Sequence, residues 1–327
     1  MRRLALVFMV LAVGVLAGCG SSDDNGGDNA SKDDVNLTQK RDITIAMVTH
    51  GDGGSFWSVA KKGAEQAAKD MGVTLKYSES NNDAEEQAQL IEAAVSEGVD
   101  GLAVSAPDPD AIRDAVKTAV DAKIPVVTLN SGAEESASLG AITHVGQTET
   151  IAGEGAGKKL KDAGVTKLIC VIHEQSNVGL NQRCEGAKKG FGGDVENVQV
   201  TGTSDPSTTL TELQSKLEGD TSIDGVLALN PDIAMAARDA IAGAGSKAKL
   251  ATFDLSGDVI KAIKDDEILF AVDQQQYLQG YLPVVFLTLN KTNLNTVGGG
   301  QFVLTGPGFV EKSNAAEIEK LAEAGTR

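Results

Sequence analysis

Few residues in this chain have the type and spacing to do chemistry, and they favour holding a ligand over transforming one. The most conspicuous is the pair Phe56-Trp57, because 327 residues include only one tryptophan, three tyrosines and eight phenylalanines. The pair follows a β-rich run and the glycine-rich loop His50-Gly51-Asp52-Gly53-Gly54-Ser55, which places it at the start of a helix. Aromatic faces at such a position suit the C–H faces of a hydroxylated ligand. Carboxylates and amides complement them, since each can hold two adjacent hydroxyls. Asn130 and Asp254 each follow a β-rich run, where an Asn or Asp is most often a turn or a helix cap. For catalysis the chain offers little. No Gly-x-Ser-x-Gly stretch and no Walker loop occurs, and His50, His144 and His173 show no metal spacing. The plentiful carboxylates are explained by surface solvation. No catalytic set, metal or cofactor is expected.

The elements that would position these residues alternate regularly. β-rich runs at 43–49, 73–77, 101–105 and 126–129 are separated by helical segments at 56–71, 85–96 and 110–121, with Ala and Val at three- and four-residue spacing. The order restarts with strands at 167–172, 195–200, 225–229 and 250–253 and helices ending near 190 and spanning 208–217 and 233–242. This alternation predicts an α/β fold with parallel sheets covered on both faces and ligands bound beyond the strand carboxyl ends. An internal repeat sharpens the prediction: residues 100–108 read like 224–232, and 124–132 parallel 249–257, at an offset of about 124. Two similar doubly wound lobes follow. The repeat pairs Asn130 with Asp254, each ending a strand in its own lobe and able to point into a shared cleft.

Lys and Arg number 29 against 46 Asp and Glu, a net charge of −17, and residues 42–327 carry the whole imbalance, 24 against 41. Such a body repels nucleic-acid phosphates and anionic lipid, and a mean hydropathy of −0.09 does not suggest a multi-span membrane protein. Arg2 and Arg3 precede an apolar run over 4–17, too short for a membrane-spanning helix and suited to a secretory signal. Leu16-Ala17-Gly18-Cys19 resembles the lipobox of bacterial lipoproteins, which implies cleavage after residue 18, acylation of Cys19 and attachment to the outer face of the cell membrane. A plain signal with an accidental cysteine is the alternative. Residues 19–41, rich in Ser, Asp, Asn and Gly, are expected to form a flexible tether. A calcium loop starting at Asp23 would need glycine where Asp28 stands, so no metal is read there.

The body resembles the ribose-type sugar-binding proteins, type I periplasmic binding proteins of ABC importers. The resemblance rests on Ile45-Ala46-Met47-Val48, Phe56-Trp57, Lys62-Gly63-Ala64-Glu65, Pro125-Val126-Val127-Thr128-Leu129-Asn130, Arg183-Cys184-Glu185-Gly186, Leu229-Asn230-Pro231, Thr252-Phe253-Asp254 and Ala271-Val272-Asp273-Gln274. It implies lobes of residues 42–145 plus 275–305 and 146–274 plus 306–327. Three crossings forming a hinge would fall near 145–147, 273–275 and 305–308; the glycines at 298–300 and Gly306-Pro307-Gly308 bracket a last strand beside the third. The resemblance further implies that Phe56 and Trp57 stack on the ligand, with core packing the alternative for Phe56. Asn130, Arg183, Asn230, Asp254 and Gln274 would bind its hydroxyls. Arg183 buried unpaired would be costly, so Asp254 or another acid should lie near it. Asn130-Ser131 replaces the Asp-Arg pair of many pentose binders, and the His50 loop lacks the usual Asn-Asn-Pro character. His50 and Asp52 are therefore first-lobe candidates, with loop capping the alternative for Asp52.

Cys170 lies in the strand that opens the second lobe, and Cys184 is expected to precede the helix that follows it. In an oxidising compartment they are expected to form a disulfide closing a loop of about 15 residues, worth roughly 3 kcal/mol in the entropic description; free buried thiols are the alternative. The resulting expectation is a monomeric, non-enzymatic binding lipoprotein that delivers a sugar or polyol to an ABC importer permease. It would touch the membrane only through its lipid and would bind no nucleic acid. A ligand sensor feeding a chemoreceptor or kinase, or a secreted carbohydrate-active enzyme, is the alternative.

Overall fold

The computed structural model describes residues 40–327; the signal segment, the lipidation site Cys19 and most of the tether lie outside the described residues. Among the described residues no helix is long and apolar enough to cross a membrane.

The chain builds two six-stranded sheets. In the first lobe, β1 (Thr44–Thr49), α1 (Ser55–Met71), β2 (Thr74–Glu79), α2 (Ala84–Ser96), β3 (Gly101–Ser105), α3 (Pro109–Asp121), β4 (Val126–Leu129) and β5 (Thr143–Gly146) follow in order. The second lobe continues with α4 (Glu149–Asp162), β6 (Lys167–Ile172), α5 (Val178–Phe191), β7 (Asp194–Gln199), α6 (Pro206–Gly219), β8 (Gly225–Ala228), α7 (Pro231–Gly243), β9 (Lys249–Phe253), α8 (Gly257–Lys264) and β10 (Phe270–Asp273). The chain returns to the first sheet with α9 (Gln276–Asn293) and β11 (Val303–Leu304). It ends on the second with β12 (Gly308–Glu311) and α10 (Ala315–Glu323). It therefore passes between the sheets after β5, after β10 and between β11 and β12.

Strand order is β11-β5-β4-β3-β1-β2 in one sheet and β12-β10-β9-β8-β6-β7 in the other. Central strands such as β3 and β8 are buried along their whole length, as sheets covered on both faces require. Each sheet separates two apolar clusters, one per face. Two features differ from the sequence expectation. β11 does lie between the two glycine clusters, but it is not the last strand, because β12 follows. β12 also runs antiparallel to β10, whereas the other pairings are parallel; a short connection from β11 leaves too little chain for a crossover helix, so the strand enters in the opposite direction.

The repeat has a physical counterpart in the strand starts. The Asp100 carboxylate accepts the Thr44 N–H at 2.8 Å, and Asp224 accepts those of Thr166 and Lys167 at 2.9 and 2.8 Å. Each acid fastens the strand after it, β3 or β8, to its neighbour β1 or β6.

Helices α4 and α5 meet backbone to backbone. A Cβ added at Gly153 would lie 2.0 Å from the Arg183 carbonyl oxygen, and one at Gly157 2.1 Å from that of Ala187. Gly186 and Gly190 face Thr150 and Glu154 equally closely, and α1 and α9 repeat the device with Gly63 and Gly280. The structure joins Cys170 of β6 to Cys184 of α5, with their Cα atoms 5.8 Å apart, and so ties α5 to its sheet. In an exposed helix Gly→Ala gains about 1 kcal/mol. Here Gly157→Ala should instead cost about 1–3 kcal/mol by forcing the seam open, as measured by denaturant unfolding. A stabilised variant would show that the seam is not tight.

Candidate functional site

Asn130 and Asp254 end β4 and β9 in the same way. Each backbone N–H still pairs with the neighbouring strand, Asn130 with Val145 O at 3.1 Å and Asp254 with Val272 O at 2.8 Å. Each residue then turns into the left-handed region, at φ 61° and 68°, which Asn and Asp tolerate better than most residues. Both side chains are thereby delivered to one cavity of about 30 Å³ between the lobes.

From the first lobe this cavity is walled by His50, Phe56, Trp57, Asn130 and Ser131. The second lobe contributes His173, Glu174, Asn177, Leu180, Arg183, Leu229, Asn230 and Asp254, and Gln274 enters from a crossing. Eight of the nine residues singled out in the sequence meet here. Asp52 does not: its carboxylate accepts the Gly54 N–H at 3.0 Å and the Thr203 hydroxyl of the second lobe, and it lines a separate, wider groove of about 900 Å³. Loop capping claims it, and it adds a bridge between the lobes. Phe56 and Trp57 line the cavity while also packing in the first-lobe core. Trp57 meets His50 and Phe56 edge-on, with ring centroids 4.8 and 5.0 Å apart. Asn230 serves twice: its Oδ1 caps α7 by accepting from Asp232 N at 2.7 Å, while the residue also faces the cavity.

Arg183 is 3% exposed, and its acid is Glu149, not Asp254. Nε and Nη2 donate to the two Glu149 oxygens at 2.6 and 3.1 Å, Nη1 donates to Leu229 O at 3.3 Å, and the guanidinium lies 4.6 Å from the centre of the Phe253 ring. Burial works against the charge, but Glu149, with Asp254 and Glu174, offsets it and holds the Arg183 pKa above its ordinary value. The glycine seam of α4 and α5 sets this pair, since Glu149 opens α4 and Arg183 lies on α5.

A directional chain of amides joins the two strand ends. Asn130 Nδ2 donates to Gln279 Oε1 at 3.2 Å, Gln279 Nε2 to Gln274 Oε1 at 2.8 Å, and Gln274 Nε2 to Asp254 Oδ1 at 2.7 Å. The chain runs from first lobe to second through a crossing and ends on Asp254 Oδ1, which accepts. Burial pushes the Asp254 carboxyl up to about 7, against the pull of Arg183 and the Gln274 hydrogen bond.

At the outer end, His50 Nδ1 lies 2.7 Å from Ser105 Oγ, and Asn177 Nδ2 donates toward His50 Nε2 at 3.4 Å. Burial lowers the His50 pKa to about 3, so the ring is neutral, and its partners assign the proton to Nδ1. Direct contacts hold the lobes together around the cavity: Ser131 Oγ donates to Asn177 Oδ1 at 3.0 Å, Val178 N to Pro107 O at 3.0 Å, and Ser55 Oγ to Asp232 Oδ2 at 3.2 Å.

Sequence reasoning missed Glu149, His173, Glu174, Asn177 and Gln279. One of these had a signal: β1 pairs Ile45 with Gly101 and β6 pairs Leu168 with Gly225. Carrying the repeat back one strand therefore aligns His50 with His173.

The raised Asp254 pKa has a stability consequence. Between its ordinary value near 3.8 and about 7, the folded state keeps a proton that the unfolded chain has lost. Stability falls with rising pH across that window and the loss is complete above it. Asp254→Asn should gain on the wild type from pH 4 to 7, by on the order of 1.4 kcal/mol per unit, and then level off. Parallel stability profiles for the two proteins would contradict a buried, hard-to-ionise Asp254.

The comparisons with known proteins agree with this architecture. Residues 45–289 match the model of the periplasmic binding protein domain. A carbohydrate transporter of Acidothermus cellulolyticus 11B, crystallised with myo-inositol, is 44% identical, with a TM-score of 0.85 over 87% of this chain and 99% of that one. The ribose import binding protein RbsB of Bacillus subtilis (strain 168) is 28% identical over 86% of this chain and 91% of its own length. The fructose import binding protein FruE of Bifidobacterium longum (strain NCC 2705) is 26% identical over 83% and 84%. With three quarters of its length matched by that family model, and two α/β lobes enclosing a polar cavity at their strand ends, the chain belongs to the periplasmic binding protein domain family.

Proposed function

We propose that this chain is an extracytoplasmic binding lipoprotein, anchored through Cys19, that captures a neutral sugar or polyol in the inner cavity and delivers it to the permease of an ABC importer. The observation that carries the reading is the convergence of Trp57, Arg183, Asn230, Asp254 and Gln274 on one cavity. The guanidinium supplies donors, the Asp254 carboxyl an acceptor, the amides both, and the indole an apolar face; a vicinal polyhydroxylated ring needs all three kinds of partner. The relative crystallised with myo-inositol supports a cyclic polyol as the first ligand to try, and the ribose and fructose relatives support sugars next.

The mechanism follows from the two lobes. An open form admits the ligand, and groups from both lobes contact it together only when they close. The ligand then shifts the population toward the closed form by its differential affinity. The permease reads the closed pair of lobes, and the chain acts as a monomer without chemical turnover.

A thermal-shift screen over cyclic and acyclic polyols, pentoses and hexoses tests this. A ligand at a hundredfold excess over its Kd adds about 2.7 kcal/mol, which raises Tm by roughly 5 °C or more in a body of this size. Asp254→Ala and Trp57→Ala should each remove most of that shift while remaining folded. A screen in which no compound moves Tm would contradict the proposal.

A further inference from the structure

Helix α10 ends on a glycine-directed turn. Gly325 takes φ 61°, its N–H reaches the Ala322 carbonyl at 3.0 Å, and the Thr326 N–H reaches that of Leu321 at 2.9 Å, the paired bonds of a left-handed helix stop. The helix itself belongs to the second lobe, where Ala315, Ile318 and Ala322 pack in one of the apolar clusters. The turn sends the chain back toward the first lobe. Lys62 Nζ of α1 donates to the Ala324 carbonyl, and Gly325 lies against Lys62 and Val59. Arg327 is thereby delivered to the second crossing, after β10.

There the Arg327 guanidinium spans residue 274. Nε donates to Asp273 Oδ2 at 2.8 Å and Nη1 to Gln275 Oε1 at 3.2 Å. Asp273 ends β10 and its side chain is 1% exposed, so Arg327 is the partner that a buried carboxylate needs. The other Asp273 oxygen accepts the Gln275 N–H at 2.8 Å. Gln275 is held in the left-handed region at φ 56°, which is unfavourable for a residue other than glycine, asparagine or aspartate. Its amide is engaged at both ends: Nε2 donates to the Thr305 carbonyl of the third crossing at 2.6 Å, while Oε1 accepts from Arg327. Between these two gripped residues stands Gln274, whose Nε2 donates to Asp254 and whose side chain enters the inner cavity. Arg327 does not line that cavity, so whatever it does for a ligand it does through residues 273–275.

We propose that Arg327 is a positioning residue of the binding site, a clamp that fixes the chain on either side of Gln274 and so sets the direction of the Gln274 amide toward Asp254 and the ligand. A planar fork suits the task, because it satisfies the carboxylate and the amide oxygen together, which a single point charge does not. Holding Gln274 in place before a ligand arrives removes an ordering cost from binding. This inference rests on the reading of the inner cavity as the ligand site.

Calorimetric titration separates positioning from plain bracing. The probe is myo-inositol, or the compound of the sugar and polyol panel that raises Tm most. Arg327→Ala should weaken its binding about tenfold. Asp273→Asn combined with Arg327→Ala removes the orphaned charge. That combination should recover most of the stability lost in denaturant unfolding, yet bind as weakly as Arg327→Ala alone. In a Gln274→Ala background, Arg327→Ala should change Kd by less than about twofold, because the group it positions is gone. Three results would each overturn the clamp while leaving the cavity's role intact: wild-type affinity in Arg327→Ala, affinity that returns with stability in the Asp273→Asn combination, or additive losses in the double variant with Gln274→Ala. Failure of the wild type to bind anything in the panel would overturn the polyol reading, and with it the clamp's role in binding.

Discussion

The site depends on one buried ion pair. A guanidinium removed from water needs a carboxylate in good geometry, which Glu149 supplies to Arg183; with the Leu229 carbonyl, three of its five N–H donors are engaged and two are left for the cavity. Because Glu149 supplies the compensation, Asp254 is not consumed by it. Asp254 stays a cavity acceptor, restrained by the hydrogen bond from Gln274. The pair in turn depends on α4 and α5 approaching at backbone distance, which the glycines at 153, 157, 186 and 190 permit, and on the disulfide that ties α5 to β6. Charge, helix packing and covalent bracing thus converge on one side chain.

The second organising fact is that each lobe solves the same problems with related residues. Asp100 and Asp224 fasten strand starts, Asn130 and Asp254 turn left-handed at strand ends, and His50 and His173 follow equivalent strands. The cleft between such halves has matched walls, and the amide chain from Asn130 through Gln279 and Gln274 to Asp254 links those walls through a crossing. Polar contacts between the lobes, such as Ser131 to Asn177, stabilise the closed arrangement from outside the amide chain. A ligand then needs to supply only the remaining difference between open and closed forms.

Much of this was legible from residue order. The strands at 101–105, 126–129 and 167–172 lie where the pattern puts them, because buried parallel strands are unbroken apolar runs. Helix starts were less so: α3, α6 and α7 begin one or two residues before the apolar periodicity, on prolines following Asp108, Asp205 and Asn230. Proline is well suited to the first helical position, though it reads as loop in a pattern search. α4 escaped notice because three glycines suppress its helical signal: Gly153 and Gly157 serve the seam, and Gly155 leaves room for the Phe309 ring. Glu149 and Gln279 could not be found locally at all. Glu149 meets Arg183 34 residues away and Gln279 meets Asn130 149 residues away, and only tertiary packing makes those pairs.

Since Trp57 is the only tryptophan in the chain and lies in the cavity wall, its fluorescence reports on the central claim directly. Titration with a ligand that binds by calorimetry should shift the emission saturably, with one ligand per chain and the same Kd. A ligand that binds by calorimetry and leaves Trp57 emission unchanged would place the binding site elsewhere and contradict the account.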